Sequence, residues 1–309
     1  MNRFYSNGKL LITGEYLVLD GAKALAVPTK FGQDLIVETL QESVLLWESY
    51  SHDGSEWFSA EFELPKIRLK SATFLSDNEG KGEMIAETLQ KFLHTCKELN
   101  PSFLTEAKGF LIKTNLTFPR DWGLGSSSTL LNNLADWAQV NPFELLEKSF
   151  SGSGYDLACA KNDTPILFQK NGINPLIEKV DFTPKFSDQL FFVHLNQKQN
   201  SRTGIKRYKE FKGNISAYVQ EIDVLTQEIL KAKSLDDFEK IIQEHETIIS
   251  RIIDNKPIQN IVFKDYFGKV KSLGAWGGDF ILATGNEDSK KYFVEKGFPV
   301  ILPYKKMVL

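Results

Sequence analysis

The sequence predicts an α+β fold with two subdomains. The chain has 309 residues, which is more than one hydrophobic core comfortably serves. Strand-like patterns dominate its first 65 or so residues, whereas two long helical patterns flanked by strands fill much of the second half. Turn residues at Asn171-Gly172 and Pro184 place the predicted boundary near residues 170–188.

The first half alternates short apolar runs with turn residues. These runs predict strands at residues 9–13, 24–27, 35–40, 44–47, 57–62 and 109–117, with turns at Asp20-Gly21 and near Pro28. Residues 82–99 have the apolar spacing of an amphipathic helix, and Leu130, Leu131, Leu134, Trp137 and Ala138 continue that spacing in another. Pro142 suits the first turn of the next helix.

The second half has fewer but longer patterns. Helices are predicted at residues 214–233, 235–253 and 290–296. Strands are predicted at residues 165–169, 191–195, 280–284 and 300–302.

Composition and charge exclude several classes of function. The net charge of −3 argues against a general nucleic-acid binder, which is usually basic. The two cysteines, Cys96 and Cys159, and the four histidines form no metal-ligand spacing. With no signal-peptide pattern and no run of 18 apolar residues, we expect a cytoplasmic protein with no membrane or nucleic-acid partner, as a monomer or homodimer.

Four glycine-rich segments carry the chemistry of the sequence. They are SNGKLLITGEYLVLDG (6–21), WGLGSSSTLL (122–131), SGSGYDLACA (151–160) and SLGAWGGDFILATG (272–285). Each alone is explained by a turn, but four in one chain, carrying a lysine and aspartates, indicate more than turns. In the second segment, glycines and serines lead into a helix, whose unpaired N–H groups and dipole suit an anion such as a triphosphate. It matches neither the P-loop spacing nor the GxGxxG fingerprint.

In this order, the segments GKLLITGEY, GLGSS, SGYD and G-A-x-G-G-D resemble the GHMP kinase superfamily, named for galactokinase, homoserine kinase, mevalonate kinase and phosphomevalonate kinase. The mevalonate and phosphomevalonate kinase branch is the most similar. The resemblance implies the two-subdomain GHMP kinase fold, with an ATP-binding domain like domain 2 of ribosomal protein S5 at residues 1–175. A ferredoxin-like α/β sandwich at residues 176–309 would follow it.

The resemblance also implies roles for individual residues, with ATP and Mg²⁺ as cofactors. Lys9 would lie near the reacting hydroxyl and Asp156 would act as base. The phosphate loop would comprise Gly123, Leu124, Gly125, Ser126, Ser127 and Ser128. Ser127 would ligate Mg²⁺, with Glu144 or Glu147 as a second ligand. The implied substrate side comprises Glu15, Tyr16, Ser153, Arg202, Gly274, Gly277, Gly278 and Asp279.

The substrate class follows from what surrounds these motifs. Galactokinase-like members of the family carry an aspartate shortly after the GE of the first segment, and none comes shortly after Gly14-Glu15 here. The resemblance therefore disfavours a sugar and favours a mevalonate-type acid, mevalonate or phosphomevalonate. Lys198, Arg202, Lys206 and Arg207 form a cluster that either holds a carboxylate or phosphate or is a solvated surface. A diphosphomevalonate decarboxylase-like enzyme and a catalytically silent ligand-binding protein of this fold remain alternatives. Arg120-Asp121-Trp122 and Trp276 depart from the usual motifs, and Trp276 stiffens its loop or packs on the ligand.

Overall fold

A computed structural model describes residues 1–75, 81–105, 108–150, 152–197, 201–276 and 278–309 of the chain, with the backbone alone at residues 81, 201 and 202. The chain folds into two compact units whose segments alternate along the sequence. The first unit comprises residues 1–8, 31–120 and 125–161, and the second comprises residues 9–30, 121–124 and 162–309. The predicted division into residues 1–175 and 176–309 stays a prediction.

The first unit packs helices against a mixed sheet. The strands of the sheet are β1 (Asn2–Leu11), β2 (Ala24–Leu40), β3 (Val44–Tyr50), β4 (Glu56–Glu63), β5 (Arg68–Phe74) and β6 (Gly109–Leu116). Residues 9–11 of β1 and 24–30 of β2 belong to the second unit. The order β5-β4-β3-β6-β2 is antiparallel except for β3 and β6, which run parallel from Leu45 opposite Phe110. The helices are α1 (Lys81–Leu99), α2 (Ser126–Ala138), α3 (Pro142–Ser149) and α4 (Tyr155–Ala160).

The core of this unit explains why the apolar residues recur as they do. Leu89, Phe92 and Leu93 of α1 are buried, as the helical spacing predicts, whereas Met84 in its first turns is exposed. The core also contains Trp47, Phe58, Phe62, Ile112, Leu131 and Leu134 from the strands and α2. Asn141 begins α3 by accepting a hydrogen bond from the Phe143 N–H, and Pro142 occupies the first turn, as predicted.

The second unit contains a four-stranded antiparallel sheet of order β10-β11-β9-β12. Its strands and the pair that precedes them are β7 (Ile166–Gln169), β8 (Leu176–Lys179), β9 (Leu190–His194), β10 (Val270–Ser272), β11 (Phe280–Thr284) and β12 (Ile301–Pro303). Its helices are α5 (Ser201–Glu210), α6 (Ile215–Ile229), α7 (Leu235–Ile253), α8 (Glu287–Glu295) and α9 (Tyr304–Met307). β7 pairs with β8 and with residues Ala24–Ala26 of β2.

Helix α7 shows how the local sequence builds this unit. Ser234 caps its start by accepting a hydrogen bond from the Asp237 N–H, and Asp254 ends it in a left-handed conformation. Its buried face recurs with helical spacing at Phe238, Ile242, His245, Ile249 and Ile252. Glu246 is also buried on this helix, so an imidazole and a carboxyl group lie among the apolar residues of its buried face.

Several elements differ from the prediction, and α4, β8, β10 and α9 were not predicted at all. β2 is one strand rather than two, because Pro28 lies between the residues that pair with β7 and those that pair with β6, where a missing N–H breaks no bond to either strand. The edge strand β5 has no apolar alternation, being largely exposed. Helix α5 was not predicted because its residues are polar and Gly204 interrupts them.

Candidate functional site

Lys9 lies near the end of β1 and contacts the first two residues of the glycine-serine loop, Gly123 and Leu124. Its backbone N–H donates to the Leu124 carbonyl (3.0 Å) and its Nζ donates to the Gly123 carbonyl (3.3 Å). Gly123 is in a left-handed conformation (φ 65°), and a Cβ there would overlap with the Asp279 carboxylate. Within the second unit, the structure thus brings together predicted residues from three of the four glycine-rich segments.

The last glycine-rich segment is anchored to the end of β9. The Asp279 N–H donates to the Gln197 carbonyl, and the Asp279 carbonyl accepts from the Leu195 N–H, each at 2.8 Å. Gly274 has a positive φ and Gly278 is buried, whereas Gly277 lies outside the described residues. Trp276 is 1% exposed and its ring packs in the hydrophobic core of the second unit.

The serines of the loop form the first turn of α2 in the first unit. Gly125 precedes them in a left-handed conformation (φ 91°), and its carbonyl accepts from the N–H groups of Ser128 and Thr129. Among the described residues, no side chain caps this helix. Ser127 is exposed and Ser126 is half-buried. The helix start therefore has the free backbone donors and the dipole that attract an anion.

A buried polar network fixes α2, and the sequence analysis missed it. Thr129 donates to the Gln33 side chain (2.6 Å), and Asn133 donates to the Gln33 carbonyl (3.0 Å). Ser6 donates to Asn133 (2.7 Å) and accepts from Asn132 (2.9 Å). Two asparagines on the buried face of a helix were the only signal in the sequence.

Asp156 lies in the first turn of α4, which contacts α2. Gly154 precedes the helix in a left-handed conformation (φ 90°). Ser153 lies just before it and accepts a long hydrogen bond from the Tyr155 N–H (3.5 Å). Asp156 and Ser127 thus lie in the first turns of two contacting helices of the first unit.

The candidate magnesium ligands Glu144 and Glu147 are on α3, which also contacts α2. Glu144 is half-buried in the first turn, and Glu147 is exposed. In the part of the chain that the structure describes, no three Asp, Glu, His or Cys side chains gather as a metal site. The predicted magnesium site needs only one serine hydroxyl and one carboxylate, which is fewer groups than such a cluster contains. It therefore stays a prediction.

Glu15 lies in a buried ionic cluster within the second unit. Its carboxylate is 2.5 Å from the Lys271 Nζ and 3.1 Å from the His245 Nε2, and Glu246 Oε1 is 3.9 Å from that Nζ. Burial raises the pKa of Glu15 and raises that of Glu246 to about 8. Burial, with the Lys271 charge, lowers the pKa of His245 well below its ordinary value, so the imidazole is neutral.

Tyr16 packs against α5, the helix that also carries Lys206 and Arg207 of the predicted basic cluster. The Tyr16 ring stacks on that of Tyr208 with centroids 6.0 Å apart, and its hydroxyl lies against the backbone of Gly204. Burial raises the pKa of this hydroxyl. Lys206 and Arg207 are exposed on the same helix. Lys198 and the side chain of Arg202 lie outside the described residues.

The residues before GLGSSS have separate contacts in the two units. In the first unit, the Arg120 guanidinium lies 3.8 Å from the centroid of the Trp57 ring and 5.4 Å from that of Phe74, distances typical of cation–π contacts. In the second unit, the Trp122 ring packs edge-on against Phe280 (5.4 Å). The departure from the usual motif therefore consists of two packed side chains, a result that the sequence did not predict.

Comparison with known proteins identifies the fold of the chain. No protein-family model matches the chain, and no curated protein matches it in sequence. Solved structures do match over nearly their whole length. The mevalonate kinase of Methanococcus jannaschii is 16% identical with a TM-score of 0.67, covering 97% of this chain and 96% of that one. The chain has the GHMP kinase fold.

Two further structures show the range of this fold. The phosphomevalonate kinase of Streptococcus pneumoniae, solved with phosphomevalonate and AMPPNP, is 15% identical with a TM-score of 0.69, covering 98% of this chain and 99% of that one. The galactokinase of Lactococcus lactis, solved with galactose, is 15% identical with a TM-score of 0.67, covering 97% and 92%. The α+β fold that the motifs implied is thus confirmed.

None of the helices in the described residues is long and apolar enough to cross a membrane.

Proposed function

We propose that the protein is an ATP- and Mg²⁺-dependent small-molecule kinase that phosphorylates a hydroxyl or a phosphate of a mevalonate-type acid, mevalonate or phosphomevalonate. The observation that carries the proposal is the start of α2, where no described side chain caps the helix and left-handed Gly125 leads into three serines. The likeness in fold to a phosphomevalonate kinase solved with its substrate and an ATP analogue supports it.

The phosphates would bind to the backbone N–H groups of Ser126 and Ser127 at this helix start. Glycines at Gly123 and Gly125 leave the backbone open to close approach, and the helix dipole favours the negative charge. The exposed hydroxyl of Ser127, with the Glu144 or Glu147 carboxylate, offers the hard oxygen ligands that Mg²⁺ prefers. Bound there, Mg²⁺ would neutralise phosphate charge.

Asp156 and Lys9 would act on the acceptor hydroxyl. A hydroxyl is a poor nucleophile at neutral pH, and a carboxylate within hydrogen-bond reach, here that of Asp156, accepts its proton. The Lys9 ammonium would stabilise the developing negative charge. Phosphoryl transfer needs positioning and charge neutralisation more than covalent catalysis, so these few groups are sufficient.

The substrate class is supported by two features of the second unit. After Gly14-Glu15 come the aromatic Tyr16 and the apolar Leu17 and Val18, and no acidic side chain suited to several sugar hydroxyls follows until Asp20. Lys206 and Arg207 are exposed on α5, where they could bind the carboxylate or phosphate of an acid. We further propose a cytoplasmic monomer or homodimer.

A coupled assay of ADP release tests the proposal. The acceptors are mevalonate, phosphomevalonate, mevalonate diphosphate, homoserine and several sugars, each with ATP and Mg²⁺. We expect release with mevalonate or phosphomevalonate. Release with mevalonate diphosphate together with CO₂ would favour the decarboxylase-like alternative. Nucleotide binding with no release for any acceptor would overturn the kinase assignment in favour of a silent ligand-binding protein.

A further inference from the structure

The buried ionic cluster joins residues that are far apart in the sequence. Glu15, His245, Glu246 and Lys271 come from the first glycine-rich segment, from α7 and from β10. Their side chains are at most 4% exposed, so none of them meets solvent. Two carboxyl groups and one ammonium buried together require an explanation, because burying polar and charged groups is costly even when they are paired.

Hydrogen bonds from the cluster reach the backbone of both segments. The Gly14 N–H donates to the His245 Nε2 (3.0 Å). The Lys271 Nζ donates to the Ser272 carbonyl (3.0 Å), and the Ser272 hydroxyl donates to the Glu246 carboxylate (3.0 Å). The cluster therefore links the first glycine-rich segment, at Gly14 and Glu15, to β10 and to Ser272, where the last glycine-rich segment begins.

The backbone beside Glu15 is held in a conformation that residues rarely adopt. Tyr16 has φ 62° and ψ −50°, and the Leu17 N–H donates to the Glu15 carbonyl (2.7 Å). These values define a classic γ-turn, which is strained and persists only where its surroundings hold it. On the other side of Glu15, Gly14 is left-handed and lies against Ala24, where a Cβ would not fit.

We infer that Glu15 and Lys271 are positioning residues: their buried ion pair holds the strained turn and thereby fixes the segment that carries Lys9. This role differs from the substrate contact that the motif resemblance implies for Glu15, and its effect on catalysis rests on the proposed function. A buried ion pair contributes little net stability, but it tolerates few geometries. It therefore suits the task of holding one arrangement of two segments.

We call the buried Glu15–Lys271 ion pair the clamp. Amide hydrogen exchange tests whether the clamp holds the neighbouring backbone, without reference to activity. In Lys271→Met and Glu15→Gln, we expect the amides of residues 10–17 to exchange about 100-fold faster than in the wild type, relative to those of β9 and β11. Phe293→Leu, a buried substitution on α8, is the control for general destabilisation. An unchanged ratio, or the same ratio in the control, would overturn the inference. If Lys271→Met does not fold, Glu15→Gln carries the test.

Kinetics then separates this inference from the proposed function. With an accepted substrate, we expect Lys271→Met to lower kcat at least about 10-fold while the KM for ATP changes less than about 3-fold, and Lys271→Arg to recover part of kcat. Equal effects on kcat in Phe293→Leu at matched stability would contradict a positioning role. If the wild type phosphorylates nothing, the proposed function fails, but the exchange result still decides whether the clamp exists.

Discussion

Replacing Glu246 by glutamine should change how the stability of the protein depends on pH. Burial raises the pKa of Glu246 to about 8 from an ordinary 4.5, against the opposing effects of Lys271 and Ser272. The folded protein therefore holds this proton more tightly than the unfolded chain does. The stability that the proton contributes is complete below about pH 4.5 and is lost as the pH rises through about 8.

The expected size follows from the two pKa values. Between pH 6 and pH 9 the unfolded carboxyl is already ionised, so the free energy of unfolding should fall by about 3 kcal/mol because of this group alone. Glutamine has the same shape but does not titrate, so Glu246→Gln should lack this loss. His245 stays neutral when folded, and its ionisation in the unfolded chain is common to both proteins.

Denaturant unfolding followed by circular dichroism at pH 6, 7, 8 and 9 measures the effect. The stability of Glu246→Gln relative to the wild type should increase steadily with pH. A difference that stays constant between pH 6 and pH 9 would show that Glu246 is not protonated in the folded protein at neutral pH.

Three other substitutions, one of them with a matched control, have expected outcomes. Asp156→Asn should lower kcat by about two to four decades with an unchanged melting temperature, and near-normal turnover would remove Asp156 from the chemistry. Lys9→Met should lower kcat on a similar scale, through charge stabilisation, and an unchanged kcat would exclude it. Gly125→Ala should lower the free energy of unfolding by about 1–2 kcal/mol, because alanine disfavours the left-handed conformation, and it should weaken ATP binding measured by calorimetry. Gly54→Ala, equally left-handed but in open space, should leave ATP binding unchanged.

Much of the fold could be predicted because its signals are local. The period of α7 runs from Leu235 to Ile253, and the structure has the helix over the same residues. Asn141-Pro142 likewise marked the start of α3. β2 was predicted as two strands because Pro28 reads as a break, and only pairing with β6 and β7 at separate places makes it one. Such pairing has no local signal.

The candidate site, too, could be predicted only in part. Motifs predicted Lys9 and Gly123, and the structure joins them by a hydrogen bond. The clamp of Glu15 and Lys271 could not be predicted, because these residues are distant in sequence and each resembles an exposed charge. His245 and Glu246, among the apolar residues of the buried face of α7, were the sign that polar groups are buried there.

A crystal structure of the protein with Mg²⁺ and AMPPNP tests the central claim most directly. We expect the phosphates to lie within hydrogen-bond distance of the Ser126 and Ser127 N–H groups at the start of α2, with Mg²⁺ bound to the Ser127 hydroxyl. Phosphates bound elsewhere, with the start of α2 contacting only solvent or protein, would contradict the assignment of this helix as the nucleotide site.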